Sequence, residues 1–397
     1  MLIDVLNHVL AAVALLFLVP TVTLLMQVVV ALMPPPKSKA SSAQVGGRRP
    51  RVVVLVPAFD EASGIAASLR TMHAQLAPND RLLVVADNCT DETASVAASA
   101  GAEVVVRRNA ELRGKGYALD FGVRHLEAMP PEVVVIVDAD CELEPGSLDR
   151  LARLCVGLDR PVQGLYLMQP PTGAGIKTRM AAFGWLLKNY VRPLGHSRLN
   201  LPCQLMGSGM AFPWTRIKAA RLASGHLAED MQLGLNMAAC GAPPLFCPEA
   251  QVSSHFSTSL QSLAGQHERW ERGHLGLILK EGPSVLWMAI RKQQLDLAAM
   301  VLDLCVPPPT ILATLLLLQT AASALNYLLG GWSMPFWLSV AALVIEVGAI
   351  GLAWTRFGRR LVTFREMLGA PLYLVGKLPL YARFFKRGEP EWIRTRR

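Results

Sequence analysis

Asp138 and Asp140 close the apolar run "EVVVIVDAD" as a D-x-D pair. Alternate residues of an extended strand point to one side, so both carboxylates could face one ligand. Hard oxygen donors of this kind suit Mg2+ or Mn2+, ions that usually also bind substrate phosphates. A D-x-D also arises by chance, so its weight comes from its company. Asp87 in "VVADNCTDET" ends another apolar run and could accept from a nucleobase N–H. An ordinary turn aspartate is the alternative there, and Asp91 reads as the cap of the helix that follows. Lys115 stands between glycines in "RGKGY". A mobile cation in a permissive loop suits a diphosphate, although a solvated turn explains it equally well. The spacing is not that of a Walker loop. Glu229 and Asp230 in "HLAEDMQLGLNM" precede a helical run. They are either the acidic first turn that a helix dipole favours or a general base for an attacking hydroxyl. In "QHERW", Gln266, Arg269 and Trp270 are spaced i, i+3, i+4, which places them on one helix face. A solvated helix has no need of an indole there; an anchor to a lipid interface is the plain alternative.

Residues 50–255 supply the elements that must position these groups. Continuous apolar runs ("RVVVLVPAF", "RLLVVAD", "AEVVVRR", "EVVVIVDAD") alternate with stretches at helical spacing ("GIAASLRTMHAQL", "DETASVAASAG", "GYALDFGVRHLEAM"). Repeated β-α units predict an α/β fold with a mostly parallel sheet. Ligands of such sheets bind at the carboxyl ends of the strands, where "PAFDE", "ADNCTDET" and "DADCE" all carry acidic residues. Carboxylates on one edge repel unless a cation or polar ligand lies between them. Together the groups describe a transfer at a nucleoside diphosphate. A metal and Lys115 would stabilise the departing diphosphate, and Asp230 would activate the acceptor. No Ser-His-Asp elbow, G-x-G-x-x-G dehydrogenase loop or His-rich metal site is present. A first β-α turn of G-T-R type, as in sugar-nucleotide pyrophosphorylases, is missing too.

The rest of the chain reads as membrane. Of the 397 residues 52% are hydrophobic and 17% charged, with a mean hydropathy of +0.34, too apolar for a simple soluble enzyme. The net charge of +9 lies in flanks of apolar segments rather than in aromatic-interleaved clusters, which argues against a nucleic-acid partner. Seven cysteines without a C-x-x-C pair suggest reduced thiols rather than disulfides or zinc. Between Asp4 and Lys37 no charged residue occurs, a stretch longer than the roughly 20 apolar residues a span needs. A cleaved signal peptide would want a basic start, which is absent; Pro20 would kink the span. The basic linker that follows places the next domain in the cytoplasm and the N-terminus outside. Two further spans are expected near 304–325 and 335–355. Glu346 would lie inside the last of them, paired within the bundle or functional. The tail mixes apolar and basic residues, as an amphipathic surface helix or a re-entrant segment would.

The ordered set "PAFDE", "VVADNCTDET", "RGKGYAL", "DAD", "AED", "QHERW" resembles membrane-bound bacterial glycosyltransferases of family 2, over roughly residues 50–275. The resemblance implies a GT-A (Rossmann-like) catalytic domain and inverting transfer from a UDP-sugar with Mg2+ or Mn2+. It implies that Pro57, Ala58 and Glu61 border the nucleotide and that Asp87 holds the uracil. Lys115 would reach the diphosphate, Asp138 would face the sugar nucleotide, and Asp140 would ligate the metal beside it. Asp230 would be the base, with Glu229 and Gly207, Ser208 and Gly209 of "GSGMAF" at the acceptor. In processive relatives the Trp of Q-x-x-R-W stacks under the acceptor sugar while its Gln and Arg reach the donor phosphates; Trp270, Gln266 and Arg269 match. The family's usual "TED" is "AED" here. The expected organisation is an N-terminal transmembrane helix (1–36), a basic linker (37–50), a cytoplasmic GT-A domain (51–260), interfacial helices (261–303), two transmembrane helices (304–356) and an amphipathic basic tail (357–397). The implied setting is a multi-pass protein of the bacterial inner membrane, adding sugar to a polyprenyl-linked, glycolipid or saccharide acceptor in exopolysaccharide or glycolipid synthesis. Three spans are few for a polysaccharide channel, so processive synthesis is the second reading. A nucleotide-sugar-binding scaffold without turnover is the third, opposed by the intact set of acid–base residues. The sequence names no partner subunit.

Overall fold

The computed structural model describes residues 2–34, 48–257, 260–371 and 373–374. Eight strands form one sheet: β1 (Val52–Ala58), β2 (Arg81–Asp87), β3 (Glu103–Arg107), β4 (Val133–Ile136), β5 (Glu142–Leu143), β6 (Val162–Gln169), β7 (Met210–Pro213) and β8 (Leu245–His255). Their order across the sheet is β3-β2-β1-β4-β7-β6-β8-β5. The valine-rich run forms the central β1 because it is buried on both faces. Val52, Val54 and Val56 enter one core, Val53 and Leu55 the other, the pattern of an interior parallel strand. Helix Ile65–His73 closes the first face with Ile65, Leu69 and Met72; helix Lys115–Leu126 closes the second with Leu119, Val123 and Leu126. β1 pairs in parallel with β2 and β4, and β2 with β3, so the expected α/β succession is present.

The sheet changes character beyond β4 and is mixed overall. β7 runs antiparallel to β4 and to β6, and β5 antiparallel to β8; only β6 and β8 are parallel there. β4 is also shorter than its apolar run. It ends at Ile136, and Cys141 N–H donates to Asp138 O at 3.0 Å, so the D-x-D lies in a turn outside the strand.

Among the described residues three helices are long and apolar enough to cross a membrane: Ile3–Leu32, Pro309–Leu328 and Met334–Gly358. The second begins later than the expected 304. Pro307 and Pro308 intervene and Pro309 opens the next helix; a proline removes a donor and drives the residue before it out of helical geometry. Leu295–Leu304 is therefore a separate helix. The N-terminal helix packs along Met334–Ala353 and also meets Pro309–Leu328 and the short helix Arg192–Arg198; Pro20 lies inside it. Asn7 Oδ1 accepts from Asn326 Nδ2 at 2.7 Å and from Trp332 N–H at 2.9 Å. At the other end Gln27 donates to Asp303 at 2.7 Å. Glu346 is fully buried, yet neither carboxylate oxygen has a hydrogen-bond partner among the described residues; the pairing expected inside the bundle is not made. Of the expected tail, a capping box of Thr363 and Glu366 starts the short helix Phe364–Leu368. Residues 375–397, and residues 37–47 of the expected linker, lie outside the described residues.

Candidate functional site

The turn after β4 brings its acidic residues together, where strand alternation was expected to do so. One ligand atom each of Asp138, Asp140 and Cys141 lies within 4.8 Å of the others. Ser208 Oγ accepts Asp138 N–H at 3.1 Å, and Ser254 Oγ donates to Asp140 Oδ2 at 3.2 Å. Burial, with the charge of Asp138, pushes the Cys141 thiol up to about 12. A thiol is also a soft donor, poorly matched to a hard cation. Two carboxylates remain, a donor set that fits Mg2+ or Mn2+.

Lys115 is the first residue of a helix rather than part of a mobile loop. Its ammonium pairs with Asp138 and donates to Gly207 O at 2.7 Å. A Cβ at Gly116 would lie 2.5 Å from Leu222 O and 2.6 Å from Ser224 O, so only glycine lets that backbone clamp the start of the helix. Burial alone would depress Lys115; the charges of Asp138, Glu229 and Asp230 outweigh it and hold the ammonium above its ordinary value. Gly207 has φ +92°, and a Cβ there would stand 3.3 Å from Asp230 Oδ2 and 3.7 Å from Lys115 Nζ. Bare backbone thus passes between the cation and the candidate base.

Glu229 and Asp230 form the first turn of helix Glu229–Ala239, and Asp230 Oδ1 accepts Met231 N–H at 2.8 Å. Burial raises Asp230 above the usual carboxylate range, opposed by Lys188 and Lys115. Burial, then the neighbouring Asp230 charge, pushes Glu229 up to about 7. A raised carboxylate is closer to what proton abstraction near neutral pH requires. Asp87 ends β2 opposite Arg107, the last residue of β3. Arg107 Nη1 donates to it at 2.6 Å; burial raises Asp87 and Arg107 counteracts this. Asp91 accepts the backbone N–H of Thr93, the first residue of the next helix, at 3.0 Å.

These groups meet in one cavity of about 310 Å³. Pro57, Ala58, Glu61, Asp87, Lys115, Asp138, Asp140, Gly207, Glu229, Asp230, Gln266, Arg269 and Trp270 all line it. Ser208 and Gly209 do not. Ser208 is buried behind the wall, bracing the D-x-D turn, and Gly209 N–H donates to Ile136 O at 2.9 Å. Helix Leu260–Lys280 delivers Gln266, Arg269 and Trp270 from one face. Gln266 is buried, and its Oε1 has no partner among the described residues. Burial lowers Arg269, with Glu229 opposing. The Trp270 ring lies 4.6 Å from that of Trp185, which meets Tyr166 edge-on at 5.3 Å. Trp185, Tyr166 and His226 line the cavity as well, and none was visible from sequence reasoning. Trp185 sits in "AAFGWLLKNYV", which reads as plain core. Arg107 had a signal: it and Asp87 end neighbouring runs.

A family model described as "Glycosyltransferase like family 2" matches residues 50–273, a range that holds every cavity-lining residue. The chain belongs to this family. Uncharacterized glycosyltransferases of Mycobacterium bovis and Mycobacterium tuberculosis are each 38% identical to this family 2 chain over 122 residues, 29% of its length and 51% of theirs. An uncharacterized protein of Methanocaldococcus jannaschii is 29% identical over 105 residues, 26% of this chain and 42% of that one. The chain spans about half the length of the curated relatives it matches. A mannosyltransferase from Pyrobaculum calidifontis, solved in complex with GDP-Man and Mn2+, superposes with a TM-score of 0.56 at 18% identity. The superposition covers 89% of this chain and 98% of that one, a likeness of fold that agrees with a GT-A-like glycosyltransferase.

Proposed function

We propose that this family 2 glycosyltransferase carries out inverting, metal-dependent transfer of a hexose from a UDP-sugar to a polyprenyl-linked or glycolipid acceptor. The setting is the cytoplasmic face of a bacterial inner membrane, in exopolysaccharide or glycolipid synthesis. One observation carries the reading: Asp87, Asp138, Asp140 and Asp230, from distant parts of the chain, line a single cavity with Lys115 and Trp270. In this reading Asp87 accepts from the nucleobase, with Pro57, Ala58 and Glu61 beside the nucleotide. Asp138 and Asp140 hold Mg2+ or Mn2+, which when bound offsets charge on the departing diphosphate. Lys115, Gln266 and Arg269 face the donor phosphates. Asp230 takes the proton of the acceptor hydroxyl as its oxygen attacks the anomeric carbon, and the nucleoside diphosphate leaves with the bond pair. Glu229 and Gly207 border the acceptor. Trp270 offers its ring to the apolar C–H face of the sugar. The Q-x-x-R-W face turned into the cavity favours a second reading, a processive synthase.

The test incubates the solubilised full chain with Mn2+, membrane lipid extract and a panel of UDP- and GDP-sugars. GDP-sugars belong in the panel because the Pyrobaculum mannosyltransferase was solved with GDP-Man. The expected outcome is release of UDP from one donor, abolished by EDTA. Asp230→Asn should stop transfer while nucleotide binding survives; undiminished transfer by that variant would remove Asp230 as the base. One added sugar per acceptor supports the first reading, and a ladder of products the second.

A further inference from the structure

Two cations sit one turn apart behind the cavity, and their surroundings differ. Arg192 is buried and satisfied: its guanidinium bonds Asp303 Oδ1 at 2.7 and 3.2 Å. Lys188 has neither a hydrogen bond nor an ion pair among the described residues. Its Nζ lies 5.8 Å over the ring of Trp185, which lines the cavity and packs on Trp270. Of the charges acting on it that of Asp230 is the strongest; it opposes the depression caused by burial. Lys188 is half-buried, and an ammonium partly shielded from water without a hydrogen-bond acceptor is costly, so its position suits an anion.

The backbone explains how Lys188 comes to be there. Leu187–Val191 is a π-turn inserted between helices Ile176–Leu186 and Arg192–Arg198, the kind of bulge that recurs at functional sites. Its Leu187 and Val191 are buried in the core shared by Leu24 and Val28 of the N-terminal helix and by Ala349 of the last candidate span. The same turn therefore touches the apolar helix bundle with two residues and the aromatic wall of the cavity with a third.

We propose that Lys188, beside Trp185, forms a subsite for a phosphate carried by the acceptor, where the cavity meets the apolar helix bundle. This rests on the transfer reading above and adds to it the chemical class of the acceptor. The donor's diphosphate is already served in that reading by Lys115 and the Asp138–Asp140 turn, which leaves Lys188 for a second phosphate. An acceptor with a lipid tail would lay that tail along the helix bundle; a soluble phosphorylated acceptor would not.

Calorimetric titration of the full chain in dodecyl maltoside, corrected for empty micelles, tests the subsite with dodecyl phosphate and inorganic phosphate as probes. Wild type should bind dodecyl phosphate, and Lys188→Met should weaken this by about tenfold to a hundredfold, the worth of a charged hydrogen bond. Lys188→Arg should retain most of it. Inorganic phosphate binding as tightly, with the same dependence on Lys188, assigns a soluble phosphorylated acceptor; much weaker binding assigns a lipid-borne one. Equal binding by wild type and Lys188→Met, or no binding of either probe to wild type, overturns the subsite. UDP binding reports that the variants are folded, and Lys188→Gln replaces Met should that variant lose it. The transfer reading fails separately: no nucleotide release from any donor, with phosphate binding intact, sinks that reading alone.

Discussion

Glu229 and Asp230 are adjacent, half-buried carboxylates in the cavity wall, with Lys115 acting on each. Folding favours the protonated form of Glu229, because its value rises from 4.5 to about 7. Its contribution to stability is therefore complete below pH 4.5 and is lost as the pH rises through about 7. Glu229→Gln keeps the shape and cannot ionise. Without nucleotide or metal it should match wild type in melting temperature at acid pH and exceed it above neutrality. A difference between the two that does not vary with pH would mean that Glu229 ionises normally. Trp270→Ala should lower transfer to acceptor by about tenfold, the scale of a lost aromatic contact, while hydrolysis of the donor falls less. Parallel losses would count against a ring beneath the acceptor. At this scale the chemistry-bearing residues were legible because their types and spacings are local. Tyr166 and Trp185 were not, since each gains its meaning from rings far along the chain, and Lys188 inherits its own from Trp185.

Elements decide how those residues present themselves. The strand before the D-x-D stops at Ile136, so a turn braced by Ser208 does what strand alternation was expected to do. Lys115 is held at a helix start by backbone packed against Gly116. Helix Leu295–Leu304, cut off from the next by Pro307 and Pro308, carries Asp303 to Arg192 and to Gln27 of the N-terminal helix. Burial alone would raise Asp303, but Arg192 and His196 bring it down to about 2. Asp303→Ala would leave Arg192 buried without its carboxylate, a loss on the order of 3–5 kcal/mol. Urea or thermal melts of the solubilised protein should show a clearly lower midpoint. An unchanged midpoint would mean that the network contributes nothing to holding the helix bundle on the catalytic domain.

At the scale of the molecule, apolar helices from both ends of the chain pack together and flank the sheet that holds the site. We infer that the sheet domain faces the cytoplasm, from the basic linker before it. Cys240 tests this, being the exposed cysteine, whereas the other six are buried or half-buried. A membrane-impermeant maleimide should label it in inverted vesicles and leave it unlabelled in intact cells; the reverse pattern would invert the topology. Residue order by itself determined the α/β succession through β4, the three apolar helices and most of the cavity-lining residues. Periodicity, run length and short motifs are properties of neighbouring residues, so they survive without coordinates. Only the tertiary structure decided that the sheet turns antiparallel after β4, that Ser208 and Gly209 stand behind the wall, and that Glu346 has no partner among the described residues. It alone also put Trp185 in the cavity wall and Lys188 behind that ring. Those outcomes depend on which surfaces meet across long separations, and burial, strand register and the lack of a hydrogen-bond partner are defined only once they have met.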